Sequence, residues 1–357
     1  MRTIAVINQK GGCGKTTTTI NLAACLADKG KRVLVVDTDP QAHATLGLGF
    51  MPGEYPNSVY DLLVSKGEES LPPQDVIIPV TTKLHLLPSD VMLSTAEPIL
   101  LGREYREYCL ADVLAPMDQS YDFAIIDCPP NIGLLTFNAL FACSEVIIPV
   151  ETGLFALHGL AKLMETVQLV NSKRDRKMTV NALLTMFDRR TKIAHESLNE
   201  IQKHLGGQVL GTIINFNVRL KEAASHGKPI ISYAPDSMGA RDYMDLAAEL
   251  LKMKTKKKAA EKKTNARGPE ADQEEVLFTF FAPEAKKVYV VADFNDWKVG
   301  RTPLQHAGGN GVWQKLVSLK KGKYEYKFLV DGKWVTDPGN PRTTRNEYGE
   351  NSFIEVD

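Results

Sequence analysis

The segment that most constrains how this 357-residue chain folds is a glycine-rich stretch at residues 9–17, with the sequence QKGGCGKTT. An apolar run at residues 4–7 precedes it, and residues 16–28 follow it with apolar side chains at helical spacing. A glycine-rich turn between a strand and a helix directs backbone N–H groups at phosphate oxygens. The sequence therefore predicts a phosphate-binding loop, in which Lys15 contacts the β- and γ-phosphates and Thr16 offers its hydroxyl to Mg²⁺.

The loop departs from the common GxxxxGK(S/T) pattern. Gln9 occupies the position of the first glycine, and Lys10 is an additional lysine directly before the glycine pair. Cys13 lies inside the loop, where we expect a small side chain that only fills space.

Carboxylates follow two further strand-like segments. Asp37 and Asp39 come at and after the end of an apolar run at residues 33–36, and Asp127 ends a second run at residues 123–126. In an open α/β sheet, ligands bind at the carboxyl ends of the strands, so we expect these side chains to converge on the phosphate loop. One carboxylate at such a strand end can hold Mg²⁺, directly or through water, and another can orient an attacking water.

Residues 1–250 alternate short apolar runs with segments of helical spacing, which indicates a parallel sheet covered by helices on both faces. Residues 41–83 are irregular and rich in Pro and Gly, so we expect loops and short helices there. The predicted strands lie at residues 3–8, 33–37, 84–87, 123–127, 146–150, 180–184 and 209–214, and predicted helices include residues 16–28, 132–141 and 157–170.

The C-terminal part has a different pattern. A last periodic helix at residues 240–252 runs into a polar, lysine-rich stretch at 254–271, which is typical of a frayed helix end and linker. Short β-rich runs with turns about every ten residues then predict an all-β, immunoglobulin-like sandwich. The sequence therefore predicts an α/β P-loop domain at 1–252, a basic linker at 253–275 and a β-sandwich at 276–357. The predicted strands of the sandwich are residues 288–291, 313–319, 324–330 and 353–356.

Composition narrows the class of protein. Hydrophobic residues make up 43% of the chain and charged residues 24%, as in folded soluble proteins. No apolar run approaches the ~18 residues of a membrane-spanning helix, and the run at 4–7 is too short for a signal peptide. Five cysteines form no CxxC pair, so we expect a cytoplasmic protein with reduced thiols.

The phosphate loop with Lys10, the segment Asp37–Gln41 and the sequence Asp127-Cys128-Pro129-Pro130 resemble the ParA/Soj branch of the deviant Walker ATPases. The resemblance extends through residues 133–136, 155–160, 185–188, 217–220 and 225–229, and covers about residues 1–250. It implies a homodimer that forms around ATP and Mg²⁺. It also implies slow ATP hydrolysis that a ParB-like partner stimulates.

The same resemblance implies roles for individual residues. Lys10 would reach across the dimer to the partner's nucleotide, Lys15 would bind the phosphates, and Asp39 would position the attacking water. Asn215 would lie at the adenine, although Asn215-Phe216 stands where the family usually has Pro-Arg. The implied metal ligands are Thr16, Asp37 and Asp127, and the implied nucleotide-binding residues are Lys10, Gly11, Gly12, Cys13, Gly14, Lys15, Thr16, Thr17 and Asn215.

Non-specific DNA binding through Arg190 and Arg219 is a further implication of the resemblance. Such binding depends on electrostatic attraction to the DNA phosphates, so its affinity falls steeply as the salt concentration rises. Residues 1–250 carry 23 basic and 28 acidic residues, which disfavours DNA, whereas residues 251–275 carry eight basic and five acidic residues. The lysine-rich stretch either adds phosphate contacts or only solubilises the linker. Membrane binding is the weaker interpretation, because the basic stretch leads into another domain.

The sandwich carries a second resemblance. Residues 293–297 (DFNDW), residues 324–334 (YEYKFLVDGKW) and Asp337-Pro338 are similar to family 48 carbohydrate-binding modules. The resemblance implies binding of an α-glucan such as glycogen. The implied sugar contacts are Trp297 and Trp334 by stacking, Lys327 and Asn351 by hydrogen bonds, and Tyr348. Trp313 lies in an alternating strand, and we expect it in the core.

Together these features favour an ATPase that positions a cargo, with its ATP-bound dimer on DNA and a glycogen particle held by the sandwich. DNA binding would make it nucleoid-associated. Two alternatives remain at this stage. One is a chromosome or plasmid partition ATPase whose sandwich docks a protein partner. The other is a nucleotide switch that regulates glycogen metabolism without DNA.

Overall fold

The computed structural model describes residues 1–65, 71–153, 156–174, 176–264, 273–306, 311–340, 342–346 and 349–356. The chain divides into two compact units, Met1–Lys256 and Lys257–Asp357. The first is an α/β unit, and the second is all-β from Gln273 onward, as the sequence predicts.

A seven-stranded sheet forms the centre of the first unit, in the order β3-β4-β2-β5-β1-β6-β7. All neighbouring strands are parallel except β3, which pairs antiparallel with β4 at one edge. The strands are β1 (Arg2–Val6), β2 (Val33–Asp37), β3 (Ile78–Pro79), β4 (Leu84–Leu87), β5 (Phe123–Asp127), β6 (Glu145–Glu151) and β7 (Thr179–Thr185).

Helices cover both faces of this sheet. Ile4 and Val6 of β1 belong to a hydrophobic cluster with residues of α1 and α11, whereas Ala5 belongs to a second cluster with residues of α3, α5, α6 and α7. The helices are α1 (Lys15–Asp28), α2 (His43–Gly47), α3 (Val59–Val64), α4 (Ala96–Leu100), α5 (Cys109–Leu114), α6 (Leu134–Ala142), α7 (Ala156–Ser172), α8 (Lys192–Leu205), α9 (Val218–Ser225), α10 (Ile230–Tyr233) and α11 (Met238–Thr264). None of the helices in the described ranges combines the length and apolar character needed to cross a bilayer.

One strand prediction is wrong. Residues 209–214 form no strand and make only an isolated bridge, between Val209 and Ala182 of β7. The Leu210 and Ile214 N–H groups do bond to β7 carbonyls, each at 2.9 Å. Between them, the carboxylate of Glu249 accepts the N–H groups of Gly211 and Thr212 at 2.7 and 2.9 Å. The Glu249 side chain therefore takes the place of backbone hydrogen bonds to β7 at the middle of residues 209–214.

Helix α11 is longer than the predicted helix at 240–252, because it continues to Thr264. Residues 254–264 have the sequence KTKKKAAEKKT, which contains no Gly or Pro, and Lys, Ala and Glu are strong helix formers. The first part of the predicted linker is therefore helical.

Two antiparallel sheets form the second unit. One has the strand order β10-β11-β8, and the other has the order β13-β12-β15-β14 with β9 also paired to β12. Phe278 and Trp313 of the first sheet pack with Val290 and Phe328 of the second, and Trp313 is 7% exposed, which confirms it as a core residue. The strands are β8 (Gln273–Phe281), β9 (Val288–Ala292), β10 (Gln305–His306), β11 (Val312–Lys320), β12 (Gly322–Val330), β13 (Lys333–Val335), β14 (Thr343–Asn346) and β15 (Gly349–Val356).

Candidate functional site

The glycine-rich loop joins β1 to α1 and has the backbone that its glycines permit. Gly12 and Gly14 have φ angles of 74° and 91°, in the left-handed region that favours glycine. Gly14 directly precedes α1, and its carbonyl accepts the Thr18 N–H at 2.9 Å. The Thr185 hydroxyl of β7 donates to the Cys13 carbonyl at 2.8 Å, which fixes the loop against the sheet.

Lys15 is the first residue of α1, and only 8% of it is exposed. Its Nζ lies 3.4 Å from the Lys10 carbonyl oxygen, and it forms no ion pair with any residue in the described ranges. A buried ammonium group is costly unless an anion pairs with it. The loop therefore fits a phosphate at the tip of Lys15.

Asp37 and Asp127 end the adjacent strands β2 and β5 and are register partners. Both are fully buried. The Thr16 hydroxyl donates to Asp127 Oδ2 at 2.7 Å, and the Thr19 hydroxyl donates to Oδ1 at 3.1 Å. The backbone N–H and the hydroxyl of Thr45 both donate to Asp37 Oδ2 at 2.8 Å.

These two carboxyl groups have raised pKa values. Burial, and after it the charge of Asp37, raises the pKa of Asp127 to about 8, against hydrogen bonds from Thr16 and Thr19. Burial also raises the pKa of Asp37 to about 6, against hydrogen bonds from Thr45. A nearby cation relieves both the desolvation and the repulsion. The site therefore favours a bound cation.

Two carboxylates and a hydroxyl form a donor set that suits Mg²⁺, which takes oxygen ligands and usually keeps several waters beside one or two carboxylates and substrate phosphates. The described residues hold no cluster of three or more His, Cys, Asp or Glu side chains that could bind a metal by themselves. The residues present therefore fit Mg²⁺ held jointly with a phosphate.

Asp39 follows β2 and is 6% exposed. Its Oδ1 accepts the Gln41 N–H at 3.0 Å, and its carbonyl accepts the Ser89 hydroxyl at 2.8 Å. Asp39 lines the same cavity as the phosphate loop.

Lys10 points elsewhere. Its Nζ forms a 2.6 Å ion pair with Glu151 at the end of β6, and half of its side chain is exposed. Asn8 supports this arrangement, because its Oδ1 accepts the Lys10 N–H at 3.0 Å and its amide donates to the Pro149 carbonyl at 2.7 Å.

A cavity of about 630 Å³ opens above the loop. Asn215 lines it and is 3% exposed, and its amide is held on both sides. Arg189 Nε donates to Asn215 Oδ1 at 2.7 Å, and Asn215 Nδ2 donates to Asp242 Oδ2 at 2.9 Å. The predicted residues that line this cavity are Gly11, Gly12, Gly14, Lys15, Thr16, Thr17, Asp39 and Asn215, whereas Lys10, Cys13, Asp37 and Asp127 do not line it.

Several residues of the site were missed at the sequence level. Glu151 pairs with Lys10, Arg189 and Asp242 hold Asn215, and Met186 and Tyr243 line the cavity. No local pattern identifies Glu151, Arg189 or Asp242, because each lies at least 26 residues along the chain from the residue it contacts.

Arg190 and Arg219 lie at the surface, with 85% and 60% of their side chains exposed. Each pairs with a carboxylate at 2.8 Å, Arg190 with Asp188 and Arg219 with Glu222. The Arg190 guanidinium lowers the pKa of Asp188 to about 2. Any anion that binds these guanidinium groups must therefore displace a carboxylate.

In the second unit, Trp334 of β13 is 50% exposed, and Trp297 is partly buried in the loop after β9. Lys327 is partly exposed on β12, whereas Asn351 is 4% exposed and donates to Glu325 Oε2 at 2.9 Å. Tyr348 lies outside the described residues.

Residues 1–180 match the family model described as an AAA domain. The chain is 47% identical over 249 residues to the sporulation initiation inhibitor protein Soj of Bacillus subtilis, which covers 69% of this chain and 97% of that protein. The chain belongs to the ParA/Soj family.

Two further proteins are similar to this chain. The chromosome partitioning protein ParA of Myxococcus xanthus is 43% identical over 259 residues, which cover 72% of this chain and 90% of that protein. A solved structure of cobyrinic acid a,c-diamide synthase from Mycobacterium smegmatis, with bound ATP analog and magnesium, matches with a TM-score of 0.61 and 34% identity. The match covers 70% of this chain and 94% of that one.

The second unit is matched separately. Residues 275–357 match the family model described as the glycogen recognition site of AMP-activated protein kinase. This ParA/Soj-family protein therefore joins a P-loop ATPase domain to a carbohydrate-binding module in one chain.

Proposed function

We propose that this protein is a positioning ATPase whose dimer forms around ATP and Mg²⁺, binds DNA and carries an α-glucan particle on its second unit. The observation that carries the ATPase part is the 2.7 Å hydrogen bond between Thr16 and Asp127, beside a buried Lys15 without an ionic partner among the described residues. These groups suit a phosphate with its Mg²⁺.

The geometry and the family support individual roles for the residues of this site. Lys15 holds the phosphates, and the hydroxyl of Thr16 with the carboxylates of Asp37 and Asp127 holds Mg²⁺, directly or through water. Asp39 lines the cavity, and its carboxylate orients the attacking water. Bound Mg²⁺ neutralises charge that develops on the phosphate oxygens.

Lys10 acts across the dimer in this proposal. Half of its side chain is exposed, and its pair with Glu151 is an exposed contact of the kind that contributes about 0–1 kcal/mol. Lys10 can therefore leave Glu151 at low cost and bind the partner's nucleotide.

Dimerisation is tested by light scattering of the full chain with Mg²⁺ and a non-hydrolysable ATP analogue. We expect a doubling of mass that Lys10→Ala abolishes. Lys203→Ala, which removes an exposed lysine from α8, is the matched control and should dimerise normally. A monomer under saturating nucleotide would contradict the proposal.

DNA binding is tested by titrating non-specific duplex DNA at several salt concentrations. Removing one phosphate contact reduces the salt slope by about one unit. We expect this reduction for Arg190→Ala and for Arg219→Ala, but not for Arg241→Ala, another exposed arginine of the same unit. Equal behaviour of all three variants would remove these two arginines from the DNA contact.

Glucan binding is tested by co-sedimentation with glycogen. The wild type should pellet, and the Trp297→Ala/Trp334→Ala double variant should not, because aromatic faces stack on the apolar faces of sugar rings. Phe281→Ala is the matched control, since Phe281 is a 67% exposed aromatic residue on the other sheet.

A second function has its own support. Leu277 and Leu316 are cross-strand neighbours on β8 and β11, and they are 53% and 48% exposed. Exposed apolar patches mark protein contacts. A wild type that does not pellet with glycogen would favour docking of a protein cargo on this sheet.

A further inference from the structure

The loop that follows β9 holds Trp297 in an unusual backbone conformation. The φ angles of Asp296 and Trp297 are 56° and 54°, in the left-handed region that is rare for bulky residues. Such strain persists only where surrounding contacts enforce it, and it is concentrated at functional sites. The contacts around Trp297 therefore indicate what the loop is built to hold.

The backbone of the loop is fixed by hydrogen bonds. Asn295 is 4% exposed, and its amide donates to the Val290 carbonyl and the Thr302 hydroxyl, both at 3.0 Å. Its Oδ1 accepts the Ala292 N–H at 3.0 Å, and the Trp297 N–H donates to the Ala292 carbonyl at 3.0 Å. The Asp293 carbonyl also accepts the Asp296 N–H at 3.1 Å. None of these bonds to the loop backbone involves the Asp293 carboxylate.

Asp293 contacts the side chain of Trp297 instead. Its Oδ1 accepts the indole Nε1–H of Trp297 at 2.8 Å, and its Oδ2 accepts the backbone N–H of Glu325 at 2.7 Å. One carboxylate thus connects the indole ring to strand β12. Lys327 lies two residues after Glu325 on this strand, and side chains two residues apart share a face.

The connection extends to a third predicted sugar contact. Glu325 Oε2 accepts the Asn351 amide at 2.9 Å. Hydrogen bonds therefore run from Trp297 through Asp293 and Glu325 to Asn351. This chain passes along the face of β12 that also bears Lys327.

We propose that Asp293 is a positioning residue that fixes the Trp297 indole for stacking on a glucose ring, at a set distance from Lys327 and Asn351. The proposal rests on glucan binding by the second unit. An indole whose N–H is already bonded loses little side-chain freedom when a sugar binds, so preorganisation increases affinity. The carboxylate itself does not touch the sugar.

The test measures binding of maltoheptaose to the full chain by calorimetry. Asp293→Asn removes one of the two acceptor oxygens, and we expect affinity to fall about tenfold. Asp296→Asn is the matched control, because Asp296 lies in the same loop and bonds Arg301 and Lys298 rather than Trp297. Asparagine tolerates the left-handed conformation at this position, and we expect affinity within twofold of wild type.

A double-mutant cycle separates positioning from general damage to the fold. Trp297→Phe keeps an aromatic face but has no N–H to donate. Asp293→Asn should therefore weaken binding less than twofold in the Trp297→Phe background. An equal tenfold loss in both backgrounds would show that Asp293 acts through the β12 backbone, and would overturn the proposal.

The same experiment distinguishes this inference from the function on which it rests. If the wild-type protein binds no maltoheptaose, both glucan binding and the role of Asp293 are contradicted. If the wild type binds maltoheptaose and the Asp293→Asn variant binds it with the same affinity, only the role of Asp293 is contradicted.

Discussion

Asp127 and Asp37 show how two side chains can make stability depend on pH. Both pKa values are raised mainly by burial, to about 8 and about 6, from an ordinary value of 3.8. Between pH 4 and pH 8 the unfolded chain has therefore released protons that the folded chain still binds. Stability falls with rising pH wherever the folded state binds more protons.

We expect the free energy of unfolding of the Mg²⁺-free protein to fall from pH 5 to pH 8, and Asp127→Asn to flatten that fall. Urea unfolding in EDTA at several pH values measures both. Added Mg²⁺ with nucleotide should stabilise wild type more at pH 8 than at pH 5, since the ionised carboxylates then have a cation. A wild type whose stability rises over this range would contradict the assignment.

Cys13 is a second residue whose surroundings determine its chemistry. It is fully buried, and burial raises the pKa of its thiol although Lys15 lowers it. Only the thiolate is an effective nucleophile. We expect Cys13 to resist iodoacetamide at neutral pH in the folded protein and to react in urea, as followed by mass spectrometry. Rapid alkylation of the native protein would instead indicate a redox-sensitive loop.

At the scale of elements, apolar runs predicted strands well where the strand is buried on both faces. All five residues of β2 and of β5 are buried, and both strands coincide with their predicted ranges. The segment 209–214 has the same apolar character, but Glu249 accepts its central N–H groups. That contact joins residues 38 positions apart, so no local pattern reveals it.

The candidate site follows the same division. Lys15 and Thr16 begin α1 directly after the loop that follows β1, whereas Asp39 follows β2 and Asp127 ends β5. The carboxyl ends of these parallel strands share one edge of the sheet, so topology alone brought the four residues together. The support of Asn215 by Arg189 and Asp242 depends on tertiary packing, and spacing along the chain does not encode it.

A contact between two glycines joins the segment after α2 to the end of α9. A β-carbon added to Gly227 would lie 2.6 Å from the Gly49 Cα, and Gly227 has a φ of +61°. Gly227→Ala therefore combines an alanine in the left-handed region with overpacking. We expect it to lower the free energy of unfolding by about 3 kcal/mol.

Gly53→Ala is the matched control for this variant. Gly53 has a φ of +92°, but an added β-carbon meets nothing within 4 Å. We expect Gly53→Ala to lower the free energy of unfolding only by the cost of the left-handed backbone, about 1–2 kcal/mol. Chemical denaturation measures both variants, and equal losses would show that the Gly49–Gly227 contact is not tight in solution.

The whole molecule has separate hydrophobic cores in its two units. The first unit packs its apolar side chains on the two faces of a parallel sheet, and the second packs Phe278, Trp313 and Phe328 between two small sheets. Each unit therefore has the basis for its own cooperative unfolding transition.

We expect calorimetry of the full chain to resolve two transitions that respond to different ligands. A ligand that binds only the folded state stabilises it by RT ln(1 + [L]/Kd), about 2.7 kcal/mol at a hundredfold excess over Kd. ATP analogue with Mg²⁺ should raise the midpoint of one transition in the wild type. The Lys15→Ala variant should not show this shift. Maltoheptaose should raise the other, and Trp297→Ala/Trp334→Ala should remove that shift. A single transition that either ligand moves would mean that the two units unfold together, and that occupancy of one site is felt at the other.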